Sequence, residues 1–166
     1  MVLGLDVSTS CVGYAFTKDK KIIDMGFIDL KKQKTPKEKT FFVLTHLSKS
    51  PYIDKIEKIN IEDNLSGFSG GRTSQQVIVK LAKFNAILGF VIEEEFGVEV
   101  ENINPNTARK QVFGKARVKG VPAKEYEKMK IEEKYDTKKW CKTTSRGNWD
   151  KRNIDAYDGL VMSLYE

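Results

Sequence analysis

Cysteine is nearly missing from this chain: Cys11 and Cys141 are the two it has in 166 residues, and neither belongs to a CxxC pair. That excludes a disulfide framework and a thiolate zinc site, and it fits a reducing interior. Histidine is scarcer still. The single His46 lies in a lysine-rich amphipathic stretch, FFVLTHLSK, so it reads as a helix-surface or core residue and histidine-based hydrolysis is disfavoured. A basic leader followed by a long apolar segment is also missing, as is any apolar run of about 18 residues, which argues against secretion and membrane spanning. A cytoplasmic protein without a membrane partner is the expectation. No stretch has the length of a linker, so residues 1–166 are expected to form one domain.

What the chain has is positive charge. Its 29 Lys and Arg outnumber 23 Asp and Glu, a formal +6 that favours a polyanionic partner without naming it. Against that background the acids matter more. The organising stretch is Val2 to Gly13, VLGLDVSTSCVG, where Val2, Leu3 and Leu5 read as a strand buried on both faces and Asp6 continues it. An unpaired carboxylate near a sheet centre is costly, so Asp6 needs a partner. Metal or phosphate chemistry would supply one, and a cap in the turn formed by Ser8, Thr9 and Ser10 would supply another. Val12 to Phe16 then returns antiparallel.

Taken in order, Lys20 to Leu30 suits a third strand after a turn at Lys18 to Lys20, completing a meander. Lys31 to Lys39 is basic and exposed, and Thr35-Pro36 starts a helix through Leu47 that Ser50-Pro51 stops. Lys55 to Ile61 is a strand ending in Glu62 and Asp63. The loop NLSGFSGGRTS follows, closed by Thr73 or Ser74 as a cap for the longest helix, Ser74 to Phe96, whose apolar residues occupy more than one face. Val98 to Ile103 is a fifth strand and Asn104-Pro105 opens a short helix ending at Gly114. Lys115, Arg117 and Lys119 make a basic patch. Lys124 to Tyr135 reads as a charged helix with a modest apolar face in Tyr126, Met129 and Ile131, for which a solvated face is the expectation, and Thr137 to Arg152, with Trp140 and Trp149, lacks periodicity; it either folds back over the surface or contacts a ligand. A last helix starts at Asn153 as its cap.

In that last helix Asp155 and Asp158 are three apart and project from one face, while Ile154, Tyr157, Val161 and Leu164 form its packing stripe. Like charges at that spacing repel, so a cation belongs between them. With Asp6 and Glu62 they make four hard oxygen donors, the set that a pair of Mg²⁺ or Mn²⁺ ions needs.

Three segments together resemble one family. LGLDVSTSCVGYAF, INIED and NIDAYDGLVMSL resemble the first strand, second acidic motif and C-terminal helix of the RuvC-like Holliday-junction resolvases, in particular their phage and viral branch. The resemblance covers most of the chain. It implies an α/β, ribonuclease H-like fold: a five-stranded mixed sheet, antiparallel meander plus parallel strands, flanked by helices. It further implies Asp6, Glu62, Asp155 and Asp158 as catalytic acids holding two Mg²⁺ ions, with Mn²⁺ able to substitute. NPNTARKQVFG resembles the family's basic helix and glycine turn, so Arg109 or Lys110 would contact DNA beside Lys115, Arg117 and Lys119. The implied activity is resolution of four-way and other branched DNA by a homodimeric, Mg-dependent endonuclease.

Three other expectations follow. The helix 74 to 96 offers a dimer face, with Ala82, Ala86 and Gly89 permitting close approach. In the loop 64 to 74, Phe68 would stack on an unpaired base and Arg72 would meet a phosphate. The alternatives are another ribonuclease H-like nuclease, acting on RNA-DNA hybrids or forks, and a nucleotide-binding lobe of the actin-like or sugar-kinase type, which 166 residues disfavour by supplying one lobe only.

Overall fold

The protein is described from a computed structural model covering residues 1–63 and 75–166; the loop expectations for Phe68 and Arg72, and the caps Thr73 and Ser74, lie outside the described residues. The first apolar runs fold as β1 (Val2–Val7) and β2 (Cys11–Lys18), antiparallel across a turn closed by the Ser8 hydroxyl, which donates to the Cys11 carbonyl at 2.8 Å. β2 turns into β3 (Lys21–Asp29) through Asp19 and Lys20, whose φ values of 50° and 58° are those of a two-residue hairpin matched to strand twist. β4 (Lys58–Glu62) and β5 (Val100–Ile103) lie on the other side of β1 and run parallel to it. The order is β3-β2-β1-β4-β5, the mixed five-stranded sheet expected.

Among the described residues five α-helices flank it. α1 (Pro36–Leu47) starts with a capping box in which the Thr35 hydroxyl accepts from the Glu38 N–H and the Glu38 carboxylate returns to the cap. α2 (Gln75–Phe96) follows β4. α3 (Pro105–Phe113) is capped by the Asn104 side chain and ends at Gly114, φ 80°. α4 (Ala123–Lys134) and α5 (Asn153–Leu164) complete the chain.

Strand alternation divides these helices between two faces. Leu3, Leu5 and Val7 of β1, with Ile59 and Ile61 of β4, point toward α1 and α2, where Val43, Leu47, Phe84, Leu88 and Ile92 close an apolar core. The other face carries α5, whose Tyr157, Leu160 and Val161 pack with Ala15, Ile103, Ala108 of α3 and Ile131 of α4. α5 is buried almost all round, which a four-residue stripe understates.

Several expectations need correction. Asn153 does not cap α5; it is the first helical residue, and its amide exchanges hydrogen bonds with the Lys142 backbone at 2.8 and 2.9 Å. α4 is not a solvated helix: Tyr126 and Ile131 of its apolar face are buried together with Glu127, while Met129 is exposed. Gly89 cannot serve a dimer face, because it packs over Ile61 and Val100. The segment 137–152 folds back over the surface: Thr137 bonds the Tyr157 hydroxyl at 2.8 Å, and the Arg152 guanidinium lies over the Phe27 ring and pairs with Asp29. With mean hydropathy 1.3 over an 18-residue window, α2 is by length and composition apolar enough to cross a membrane. Lys80 and Lys83 interrupt its apolar run, and Phe84, Leu88 and Ile92 pack it onto the sheet.

Candidate active site

The register of the sheet sets the site. β1 and β4 pair in parallel with Leu5 beside Ile61, so the next residue of each strand, Asp6 and Glu62, stands on the α5 face at the C-terminal end of adjacent strands. That is where open α/β sheets place ligands. α5 reaches this point because side chains are missing beneath it. A Cβ on Gly4 would overlap the Gly159 carbonyl and the Ser163 amide, and one on Gly13 would overlap the Asp155 carbonyl. Gly13 is the residue paired with Asp6, so contact there delivers Asp155 next to Asp6 and, one turn on, Asp158. A carboxylate oxygen from each of Asp6, Asp155 and Asp158 lies within 4.8 Å of the other two. Three of the four expected acids thus converge, with Glu62 on the neighbouring strand.

Bringing like charges together under a helix is unfavourable, and the acids respond. Burial, then the charges of Glu62 and Asp158, hold Asp6 well above the usual carboxylate range. Burial and Asp158 push Glu62 up to about 7, and burial raises Asp155 as well. Glu62 also keeps a buried Oε2 with no hydrogen-bond partner among the described residues. Its backbone carbonyl is held by the Asn85 amide of α2 at 3.3 Å. Orphaned hard oxygen donors and surplus negative charge are what a divalent cation satisfies, so the donor set fits Mg²⁺ or Mn²⁺.

Two cations temper that charge. Asp158, fully buried, accepts from Arg109 Nη2 at 2.8 Å on one oxygen and from Lys124 Nζ on the other. Burial alone would lower the Lys124 ammonium, yet Asp158 and Asp6 outweigh it and keep it charged. Arg109 is fixed from behind by Glu127, whose carboxylate receives Nε and is 1% exposed. Burial and Asp158 push Glu127 up to about 8, with Arg109 opposing. Cys11 lies against Asp155, and burial raises its thiol far above the ordinary value.

Arg109 was expected on DNA and is found instead in this buried network, 7% exposed, because α3 turns it inward toward Asp158. Lys110 is exposed on α3, and Lys115, Arg117 and Lys119 are exposed on the turn leading to α4, where Val118 bridges Val121. Lys124 and Glu127 were missed by sequence reasoning. A signal existed: Lys124, Glu127 and Ile131 fall on one helix face, and Ile131 is a core residue.

The mixed five-stranded sheet with its flanking helices has the fold of solved RuvC structures. Among solved structures the chain is similar to Thermus thermophilus RuvC in complex with a Holliday junction substrate, with a TM-score of 0.63 at 14% identity over 98% of this chain and 89% of that one. Thermus thermophilus RuvC alone gives 0.62 at 14% identity, covering 98% and 90%. The yeast mitochondrial Holliday junction resolvase Ydc2 gives 0.59 at 14%, covering 98% and 75%. No protein-family model and no curated protein matches the sequence. Likeness at this level establishes the fold.

Proposed function

We propose that this chain is a structure-selective endodeoxyribonuclease that hydrolyses phosphodiesters in branched DNA, four-way junctions foremost. The observation that carries this reading is the convergence of Asp6, Asp155 and Asp158 beside Glu62 at the end of the central strands. The RuvC-like sheet around them and the +6 charge support it. In this reading residues 1–166 act as one nuclease domain in the cytoplasm.

Asp6, Glu62, Asp155 and Asp158 would hold the divalent ions, one or two per site. A bound Mg²⁺ or Mn²⁺ supplies Lewis-acid charge and acidifies a coordinated water. The chain's own part is to fix the donors. β1 and β4 hold Asp6 and Glu62, α5 holds the other pair, and Arg109 and Glu127 keep Asp158 from turning away. Lys124 is half-exposed, so it can leave Asp158 and turn toward a phosphate.

The reading includes a homodimer, which suits a two-fold junction. Val79, Ile87 and Phe90 of α2 are exposed on the side away from the sheet and offer the apolar surface for it. Sedimentation with and without junction DNA tests this, and a monomer under both conditions at micromolar concentration rejects it.

The function is tested with a synthetic four-way junction, a fork, a flap and an RNA-DNA hybrid, each in Mg²⁺ and in Mn²⁺. Paired nicks in the junction are expected. Cleavage confined to the hybrid would move the protein to another nuclease of the same fold.

A further inference from the structure

On the α1 and α2 side of the sheet lies a cleft of about 510 Å³ lined by Thr9, Lys34, Lys39, Val77, Lys80 and Phe84. Thr9 belongs to the turn that follows β1, three residues past Asp6, so one wall of the cleft continues from the strand that carries Asp6. The cleft has three ammonium groups and no carboxylate in its lining. None of the three forms an ion pair among the described residues, and the segment 64–74 contains no Asp or Glu that could neutralise them. Lys39 is already held in place: its Nζ donates to the Thr9 carbonyl and lies 6.0 Å from the centre of the Phe84 ring. Lys31, Lys32 and Lys37 extend the same sign of charge along the approach to α1.

A larger cavity, about 630 Å³ beside Tyr157, makes the contrast. Glu132, Glu133 and Asp136 share its lining with Lys134 and Lys138, so charge selects nothing there. In the α1–α2 cleft it selects an anion. Three lysines around a partly apolar floor of Pro36, Val77 and Phe84 suit a polymer that alternates phosphates with sugars and bases.

We infer that this cleft binds the phosphate backbone of the DNA strand leaving the acid cluster, with Lys34, Lys39 and Lys80 as its contacts. The inference rests on the nuclease reading and adds the path of the strand. Lys34 and Lys80 are exposed, so both can be changed without touching the core.

The test compares Lys34→Gln/Lys80→Gln with Lys18→Gln/Lys55→Gln. The second pair removes the same charge at the opposite end of the strands, where β2 finishes and the turn before β4 lies. Binding of a labelled four-way junction is measured by anisotropy in Ca²⁺ across a salt series, with melting temperatures matched. The cleft pair is expected to lose about tenfold in affinity near 0.1 M salt and to flatten the logarithmic salt slope by about two, as two lost phosphate contacts require. The control pair should lose less than about twofold, since its charges contact no phosphate. Equal losses in both pairs, or none in either, would overturn the cleft while leaving the nuclease reading intact. So would competition by polyglutamate, but not by single-stranded DNA, for the cleft lysines. Wild-type protein that binds no branched DNA would instead remove the nuclease reading on which the inference stands.

Discussion

The two faces of β1 are built on opposite terms. On the α1–α2 face Leu3, Leu5 and Val7 disappear into hydrocarbon, each contributing roughly 1.5–3 kcal/mol by leaving water. On the α5 face the same strand offers Gly4 and Asp6, a missing side chain and a buried charge. One face stabilises the molecule, and the other uses that stability to hold acids where they repel. The difference explains why the helices are placed as they are: α2 needs apolar area, while α5 needs closeness.

The hardest way to break that comparison is to fill the gap under α5. Gly13→Val puts side-chain atoms where the Asp155 backbone stands, and neither strand nor helix can give way. A loss above about 4 kcal/mol is expected, which would leave little folded protein by circular dichroism. Next comes the charge network. Arg109→Met leaves Asp158 and Glu127 without their shared cation and is expected to cost about 3–5 kcal/mol, measured by urea denaturation. A variant as stable as wild type would show that the network is not carried by Arg109. On the apolar face, Leu88→Ala should cost about 3 kcal/mol and leave junction cleavage per folded molecule unchanged, because Leu88 touches none of the acids.

The smallest effect has the opposite sign. Asp6→Asn should stabilise the metal-free protein by about 1 kcal/mol, seen as a higher melting temperature, because it removes a buried like charge. Its pH dependence follows from the direction of the shift. The folded pKa of Asp6 lies above the unfolded value, so the folded state holds the proton more tightly and stability falls as pH rises past the unfolded pKa of about 4. Glu62 acts the same way between its ordinary value and about 7. The gain from Asn should therefore be small at pH 4 and larger at pH 8. A gain that shrinks with rising pH would contradict the charge account.

Much of the fold was legible because its signals are local. The Thr35-Pro36 start, the Asn104-Pro105 start with its Gly114 stop, and the apolar run broken by Asp6 each announce a structure within a few residues. The convergence of Asp6 with Asp155 and Asp158 was legible in part, through motif order and i, i+3 spacing. Lys124, Glu127 and the inward turn of Arg109 were not, because charged residues on α3 and α4 look solvent-bound until α5 is packed against them. Asn153 misled for a related reason. A good capping residue type was used for a tether to Lys142, a partner eleven residues away that no local rule names.

The central claim is that the acids under α5 are a metal-dependent cutting site, and single-turnover cleavage of a four-way junction in Mg²⁺ tests it most directly. Wild type should nick the junction. Asp6→Asn, Glu62→Gln, Asp155→Asn and Asp158→Asn should each lose cleavage by about a hundredfold or more while binding the junction as well as wild type or better, since each removes negative charge near the phosphates. Cleavage near the wild-type rate in Asp6→Asn or Asp158→Asn would contradict the account.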